Sequence, residues 1–238
     1  MLAEPPIPAA VPAEGLPVAR ALLTRRSVRG FLPTPVPRAT VEAILTLAAR
    51  APSGTNVQPW KVYVCAGDVK RALTGKLVAA HYADTGEHVE EYPYYPVRWR
   101  EPFLARRRKL GWDLYGCLGI AKGDKEAMAR QHARNFEFFG APVGLFFTVD
   151  RDLEVGRWLD VAMFIENVMI AARAFTLHTC AQAAFTPYHR IVGPHLGIPE
   201  TELLLCGMAL GHEDPDEPAN RLVTEREPAG NFATFLGW

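Results

Sequence analysis

Serine is scarce in this chain of 238 residues, where Ser27 and Ser53 are the only two. Neither stands in a GxSxG or SxxK motif, so the sequence offers a serine hydrolase almost no nucleophile. The chain also lacks GxGxxG and GxxxxGK[ST], the usual signals of a Rossmann dinucleotide site and of a P-loop. Its seven histidines have neither an HExxH motif nor paired ligand spacing, so no metal site is expected. We therefore expect any chemistry to come from an organic cofactor.

Cysteine, net charge and long apolar runs are also in short supply. Four cysteines lie far apart without a CxxC pair, which favours reduced thiols in a cytoplasmic protein. Basic and acidic residues balance at 26 each, which argues against nucleic acid or an anionic membrane as a partner. The longest apolar stretch, 158–177, is interrupted by charged side chains and is no transmembrane span. Residues 1–16 lack the features of a signal peptide and are expected to form a mobile arm.

The remaining chain, 17–238, is expected to form a single α+β domain. Apolar residues recur at helical spacing from Val41 to Ala48, and Pro52 ends that helix. Strands are predicted over 61–66, 142–149 and 202–210, and further helices over 101–114, 124–138 and 156–176. Strand and helix do not alternate as in a Rossmann fold. The last of these helices is apolar nearly all round, which predicts burial on every side, centrally or in a subunit interface.

A stretch at about 81–114 resists simple assignment and is expected to be a lid-like surface excursion. It is rich in aromatic residues, which either pack in a core or stack on a flat ligand. It is also basic between Arg98 and Lys109. Such a run is usually a solvated helix face, and the alternative is attraction of a carboxylated aromatic compound or of the NADPH phosphate.

Two segments depart from this background. The first is RRSVRGF, residues 25–31, within a stretch from residue 16 to 41 that has five arginines and no acidic residue. Guanidinium groups beside a hydroxyl suit a phosphate, although a solvated helix end is the alternative. The second is APSGTNVQPW, residues 51–60, where prolines fix the backbone and amide side chains stand beside an indole. Such a loop matches a planar heterocycle or is simply a helix-to-strand turn.

Together, RRSVRGF, PVPRATVEAIL and APSGTNVQPWKVYV resemble the flavin-dependent nitroreductase family. The likeness continues through NFEFFGAPVGLFFTVD, GRWLDVAMFIENVMIAARAFTLHTCAQAAF and GMALGHEDPDEPANRLVTEREP, so it covers nearly everything after the N-terminal arm. The later segments look most like the branch with aromatic nitroreductases such as nitrobenzoate reductases. The resemblance implies an intertwined α+β homodimer, with a central antiparallel or mixed sheet surrounded by helices and two FMN molecules in the subunit interface.

The resemblance also implies a set of cofactor-binding residues. The first group would meet the FMN phosphate, with Arg29 reaching the flavin ring, and comprises Arg25, Arg26, Ser27 and Arg29. The second group would lie against the flavin from the other subunit and comprises Pro52, Ser53, Gly54, Asn56 and Gln58, whereas the third would face flavin N5 with its backbone and comprises Gln182, Ala183 and Ala184. The fourth group would supply a C-terminal phosphate contact and consists of Arg226, with Arg221 as the weaker candidate. Some relatives have Glu-Gly or Gly-Ala in the third group, so the contribution of the Gln182 side chain stays open.

The activity that the resemblance implies is reduction of nitroaromatic compounds by NADPH or NADH in a ping-pong cycle. Hydride passes through flavin N5, so no catalytic side chain is expected. The tail NFATFLGW, residues 231–238, is expected to pack on the other subunit because it is apolar. Two alternatives remain open at this point. One keeps the flavin and changes the acceptor to a quinone, an enone or a halogenated aromatic compound; the other is a non-catalytic flavin- or nucleic-acid-binding protein.

Overall fold

The computed structural model describes residues 5–237, so residues 1–4 of the expected arm and Trp238 of the expected tail lie outside it. Its α-helices are α1 Leu16–Thr24, α2 Arg38–Ala48, α3 Gly67–Ala83, α4 Phe103–Cys117, α5 Lys125–Ala133, α6 Gly156–Ala174 and α7 His189–Leu196. Its strands are β1 Lys61–Ala66, β2 Val143–Asp150, β3 His178–Gln182 and β4 Glu202–Gly211. Short 3-10 turns occur at Ala13–Gly15, Gly54–Asn56, Phe138–Gly140, Arg151–Leu153, Ala183–Tyr188, Pro218–Arg221 and Ala229–Asn231.

The four strands form one antiparallel sheet in the order β1-β2-β4-β3. Seven of the eight residues of β2 are buried because helices cover both faces of the sheet. Alternate side chains of a strand point to opposite faces, and β2 divides its side chains accordingly. Phe146 joins one core cluster, whereas Leu145 and Phe147 join the other. The α+β prediction with a central sheet is confirmed.

Each face of the sheet has its own helical layer. On one face, buried residues of α3 and α7 such as Leu73, Leu77 and Val192 share a cluster with Phe146. On the other face, α2 and α6 pack against each other and against β2, with Ile44 and Phe164 in the core. This arrangement leaves the two edge strands, β1 and β3, as the places where loops approach the sheet.

Two glycines in the central strands make room for aromatic rings. A Cβ at Gly207 would lie 2.4 Å from a ring carbon of Phe185, and one at Gly144 would lie 2.5 Å from a ring carbon of Phe138. Both phenylalanines are fully buried. Glycine is therefore required at these two positions by the close approach of the rings.

A buried carboxylate ties the start of β4 to its neighbours. Glu202 accepts hydrogen bonds from Lys61 Nζ at 2.8 Å, from Tyr63 Oη at 3.0 Å and from the Thr148 hydroxyl. Burial alone would raise the pKa of Glu202, but these hydrogen bonds outweigh it and lower the pKa below its ordinary value. The ionised carboxylate thus stabilises one end of the sheet.

The structure corrects several local predictions. Strand β3 was not predicted because HTCAQ has little apolar periodicity, and α1 and α7 were not predicted either. The helix expected over 124–138 ends at Ala133 and is followed by turns over 134–137, and Phe138 and Phe139, with φ values of 54° and 52°, cannot belong to a right-handed helix. The excursion expected over 81–114 begins after α3 ends at Ala83 and includes most of α4.

Helix α6 is not buried on every side within one chain. Leu159 is 71% exposed and Met163 is 39% exposed, whereas Phe164 and Val168 lie in the core. Burial at the centre of one chain therefore does not by itself explain the apolar composition of α6. Among residues 5–237 no helix is both long and apolar enough to cross a membrane, and no three potential ligand side chains are grouped to hold a metal ion.

Candidate functional site

The basic segment 25–31 runs along the edge strand β3. Ser27 forms a bridge with Thr179, and the Val28 N–H donates to the Thr179 carbonyl at 3.1 Å. Because the segment is extended, neighbouring side chains point in opposite directions. Val28 is fully buried, whereas Ser27 is exposed, and Arg29 Nη1 donates to the Ser27 carbonyl at 3.3 Å. Ser27 and Arg29 therefore face the open side of the segment.

Arg26 is held by groups of its own chain. Its guanidinium donates to the Glu213 carboxylate and to the Asn220 carbonyl. The other oxygen of Glu213 lies 3.3 Å from His178 Nε2. Burial, together with the positive charges of Arg173 and Arg26, lowers the pKa of His178 to about 3, so the ring is neutral at physiological pH. Of the predicted phosphate ligands, Arg26 is thus the one most fully occupied by intramolecular contacts.

Asn220 organises this corner of the molecule and was not found from the sequence. Its Oδ1 accepts from the Arg29 N–H at 2.7 Å, and its Nδ2 donates to the carbonyls of Gly30 at 2.8 Å and Asp214 at 2.9 Å. It is 4% exposed. These bonds fix the 3-10 turn that ends at Arg221, so Arg221 follows directly after the residue that binds the basic segment. The only signal in the sequence was the turn-forming composition of DPDEPAN.

The two remaining predicted phosphate residues differ in their surroundings. Arg25 Nε lies 3.6 Å from Glu166 Oε1 of α6. Arg226 donates to the Thr224 hydroxyl at 2.7 Å and to the Glu225 carbonyl at 2.9 Å, both within its own segment. Within one chain, the structure brings Arg26, Arg29 and Arg221 to one corner and does not bring Arg226 into contact with them.

The loop 52–58 is built on the other end of α6. The Gly54 N–H lies 3.3 Å from both carboxylate oxygens of Asp160, and Arg157 Nη1 donates to the Gly54 carbonyl at 3.1 Å. A Cβ at Gly54 would lie 2.3 Å from that guanidinium nitrogen, so glycine permits the contact. Asn56 and Gln58 are exposed and have φ values of 58° and 52°. Asp160 therefore holds a strained loop whose amide side chains face outward.

Within one chain this loop and the basic segment lie at opposite corners of the sheet. The loop leads into Lys61 of β1. Lys61 pairs with Thr148 of β2, and Thr148 pairs with Leu204 of β4. The basic segment borders Thr179 of β3, which pairs with Leu210. Six residues along β4 and three strand spacings across the sheet separate them by about 20 Å and about 14 Å in the two directions. One chain therefore does not bring the two predicted groups together.

The third predicted group lies where β3 ends. Gln182 is 2% exposed, and its Nε2 donates to the Asn135 carbonyl at 2.8 Å. Its Oε1 is buried without a hydrogen-bond partner among the described residues. The side chain thus points into the protein, and a 3-10 turn begins at Ala183. Ala183 and Ala184 are partly accessible, so what this group offers to the outside is backbone.

The excursion is anchored to the body at two neighbouring residues. Glu91 pairs with Arg151 at 2.5 Å and with His189 Nδ1 at 3.3 Å, and the Tyr92 hydroxyl donates to the Leu205 carbonyl. The aromatic residues that follow are more open: Tyr94, Tyr95, Phe103 and Trp112 are each between 46% and 53% exposed. The core-packing hypothesis is thus wrong for these four residues within one chain.

A family model described as the nitroreductase family matches residues 22–212. The chain is 43% identical to a 4-nitrobenzoate reductase of Nocardioides sp. (strain LMS-CY), over 89% of this chain and 87% of that protein. It is 38% identical to a 4-nitrobenzoate reductase of Pseudomonas putida, over 90% of this chain and 93% of the relative. It also resembles the crystal structure of the FMN and NADPH-dependent nitroreductase NfnB from Sphigopyxis sp. strain HMH, with a TM-score of 0.89, 35% identity, and coverage of 93% and 99% of the two chains.

Proposed function

The chain belongs to the nitroreductase family, and from this premise we propose that it is an FMN-dependent NAD(P)H oxidoreductase that reduces nitroaromatic compounds. The observation that carries the proposal is its 43% identity, over 89% of the chain, to a 4-nitrobenzoate reductase. The structurally similar NfnB is FMN and NADPH-dependent. These relatives favour a nitroaromatic acceptor over a quinone, an enone or a halogenated aromatic compound, and they favour catalysis over mere flavin or nucleic-acid binding.

The donors at the basic corner fit the phosphate of FMN. Ser27 offers a hydroxyl on the open side of the extended segment, and Arg221 directly follows Asn220, the residue that binds this segment. Guanidinium groups and hydroxyls are the donors that bind phosphate by charge-assisted hydrogen bonds. We assign Arg25, Ser27 and Arg221 or Arg226 to the phosphate and Arg29 to the ring. Arg26 we assign to fixing this corner through Glu213.

The flavin ring is also expected to contact loop 52–58, and the position of that loop in one chain supports a homodimer. Loop 52–58 presents exposed amides but lies at the opposite corner of its own sheet. A second copy, related by two-fold symmetry, would bring its loop to the basic corner of the first. Apolar side chains exposed in one chain are available for this contact. They are Val18 and Leu22 of α1, Leu159 and Met163 of α6, and Phe232, Phe235 and Leu236 of the tail.

When bound, FMN would supply the hydride-transfer chemistry between NAD(P)H and the nitro compound. The chain's part is to hold and orient the flavin ring. The positive charge of Arg29 favours a negatively charged reduced ring, and the backbone N–H groups of Ala183 and Ala184 are available to orient it. The hydrogen bond from Gln182 to Asn135 fixes the backbone just before those amides. We place the enzyme in the cytoplasm, consistent with four unpaired cysteines.

The proposed acceptor is a nitroarene that carries a carboxylate. Two relatives are named 4-nitrobenzoate reductases, and the excursion combines flat rings with cations. The Arg107 guanidinium lies 5.0 Å from the ring centre of Trp99 and 5.6 Å from that of Tyr95. Such a group presents a positive charge beside an aromatic surface, which suits a benzoate.

The test is a comparison of acceptors under anaerobic conditions. Protein reduced by NADPH is mixed with 4-nitrobenzoate, with 4-nitrotoluene or with a quinone. We expect reoxidation of the flavin by both nitroarenes, with a higher kcat/KM for the carboxylated one. Arg107→Gln is expected to remove that preference while 4-nitrotoluene reduction persists. Reoxidation by the quinone alone would contradict the proposed function, and equal kcat/KM for the two nitroarenes would contradict only the proposed acceptor.

A further inference from the structure

The C-terminal segment around Arg226 has an unusual charge arrangement. Arg226 is flanked by Glu225 and Glu227, yet both carboxylates turn to a different element. Glu227 Oε1 lies 2.8 Å from Arg106 Nη2, and Glu225 Oε1 lies 3.5 Å from Lys109 Nζ. The Asn231 amide and Arg106 both stabilise the ionised form of Glu227 and lower its pKa. The two acidic residues therefore tie the segment to helix α4.

Arg226 itself takes no part in these ion pairs. Within residues 5–237 its guanidinium donates only to uncharged oxygens of Thr224 and Glu225. Both flanking carboxylates are engaged with α4, and none of the ion pairs among residues 5–237 includes the Arg226 guanidinium. Arg226 therefore keeps a positive charge that no described carboxylate pairs with, in a segment, 222–228, that forms neither helix nor strand.

Helix α4 depends on such surface contacts to stay attached to the rest of the molecule. None of its residues is buried, and it contacts the 3-10 turn Pro218–Arg221, which is fixed by Asn220. Arg106 and Lys109 are three residues apart and so share one face of the helix. The same helix therefore adjoins the turn at the basic corner and binds the acidic residues beside Arg226.

We propose that Glu225 and Glu227, through Lys109 and Arg106 of α4, are positioning residues that set Arg226 for the FMN phosphate. The proposal rests on the proposed function, because it takes FMN to be the ligand and Arg226, rather than Arg221, to be the C-terminal contact of its phosphate. It adds that the excursion is linked to cofactor retention: α4 and the cofactor phosphate share one short segment of the chain. By reciprocity, FMN bound at Arg226 stabilises the attachment of α4.

The test removes the partners on α4 and leaves the tail itself intact. The variant Arg106→Gln/Lys109→Gln is compared with Arg108→Gln, which lies on the same exposed helix, carries the same charge and makes no ion pair with a described residue. The full-length protein is freed of flavin and titrated with FMN, and binding is followed by quenching of flavin fluorescence. Two exposed ion pairs predict a rise in the FMN Kd of about three- to tenfold in the double variant. Arg108→Gln is expected to stay within about twofold of the unaltered protein on the same scale.

A second ligand separates positioning from general loss of structure. Riboflavin has the same ring without the phosphate, so its Kd is expected to be unchanged in the double variant. In an Arg226→Gln background, the double variant is expected to cause no further loss of FMN affinity, because the residue through which it acts is gone.

Three results would overturn the proposal: an unchanged FMN Kd in the double variant, an equal loss of riboflavin affinity, or the same loss in Arg108→Gln. Each of these leaves an FMN-binding nitroreductase in place. Failure of the unaltered protein to bind FMN at all would instead contradict the proposed function.

Discussion

Replacement of the two adjacent arginines of the basic segment is expected to have different effects: loss of Arg26 lowers stability, and loss of Arg25 lowers FMN affinity. Arg26 donates to the Glu213 carboxylate and to the Asn220 carbonyl, so Arg26→Met leaves both acceptors without their donor. Arg25 Nε lies 3.6 Å from Glu166 Oε1, and the two side chains are 19% and 47% exposed, so this longer pair is expected to lose less stability in Arg25→Met. Each variant is the matched control for the other because the same side chain is lost one residue apart.

The size of the stability loss follows from the exposure of the pair. The Arg26 and Glu213 side chains are 28% and 20% exposed. Breaking a fully buried pair costs about 3–5 kcal/mol, whereas an exposed pair contributes about 0–1 kcal/mol. For this intermediate case we expect a loss of about 1–3 kcal/mol. In a domain of this size that lowers Tm by about 2–12 °C.

FMN affinity is expected to fall more in Arg25→Met than in Arg26→Met, the reverse of the order for stability. Loss of charge-assisted hydrogen bonds from Arg25 to the phosphate corresponds to about 1.5–3 kcal/mol, or a rise in the FMN Kd of about 10- to 150-fold. Arg26→Met is expected to change the FMN Kd by no more than about threefold, since Arg26 is occupied by Glu213. Thermal melts of the flavin-free protein and fluorescence titration with FMN measure the two quantities. An Arg26→Met variant with unchanged Tm but a larger loss of FMN affinity than Arg25→Met would contradict the assignment of Arg26 to the Glu213 contact and of Arg25 to the phosphate.

Further substitutions test the interface, the charge at the sheet end and the core. Leu159→Arg places a charge in the proposed interface and is expected to give a monomer by light scattering with little FMN; a flavin-replete dimer would argue against that interface. The lowered pKa of Glu202 makes its contribution to stability present above about pH 4.5 and lost as the pH falls through the folded-state pKa, so Glu202→Gln should lower Tm at pH 7 and lower it less at pH 3. A Tm deficit that does not depend on pH would exclude this account. Gly207→Ala drives a Cβ into the Phe185 ring and is expected to cost about 1–3 kcal/mol of unfolding free energy, whereas Gly75→Ala, where the space is open, should cost nothing. Equal urea midpoints for these two variants would contradict the packing argument.

The sequence predicts the elements with strong apolar patterns and misses those fixed by lateral contacts. The run PVGLFFTV identifies β2 because both faces of a central strand must be apolar. The segment HTCAQ carries no such pattern; it is a strand because β4 offers it a free edge. Likewise, the helical pattern does not show that the helix ends at Ala133 or that Phe138 and Phe139 adopt positive φ values before β2.

Site residues followed the same division. The residue types of RRSVR indicate a phosphate site, but they do not reveal that Arg26 binds Glu213. That contact joins residues 187 positions apart in the chain. Asn220 was missed for the same reason, since it binds the backbone of Arg29 and Gly30, which lie 191 and 190 positions earlier in the chain. The separation of the basic segment from the loop 52–58 depends on strand order, which no local pattern encodes.

In the proposed function, this chain uses bound FMN to carry reducing equivalents from NAD(P)H to a nitroarene. The most direct measurement is an anaerobic spectral titration of the purified full-length protein loaded with FMN. We predict that NADPH or NADH bleaches the flavin absorbance and that 4-nitrobenzoate restores it, with formation of the hydroxylamine. Flavin that neither nicotinamide bleaches, or reduced flavin that no nitroarene reoxidises, would contradict the account.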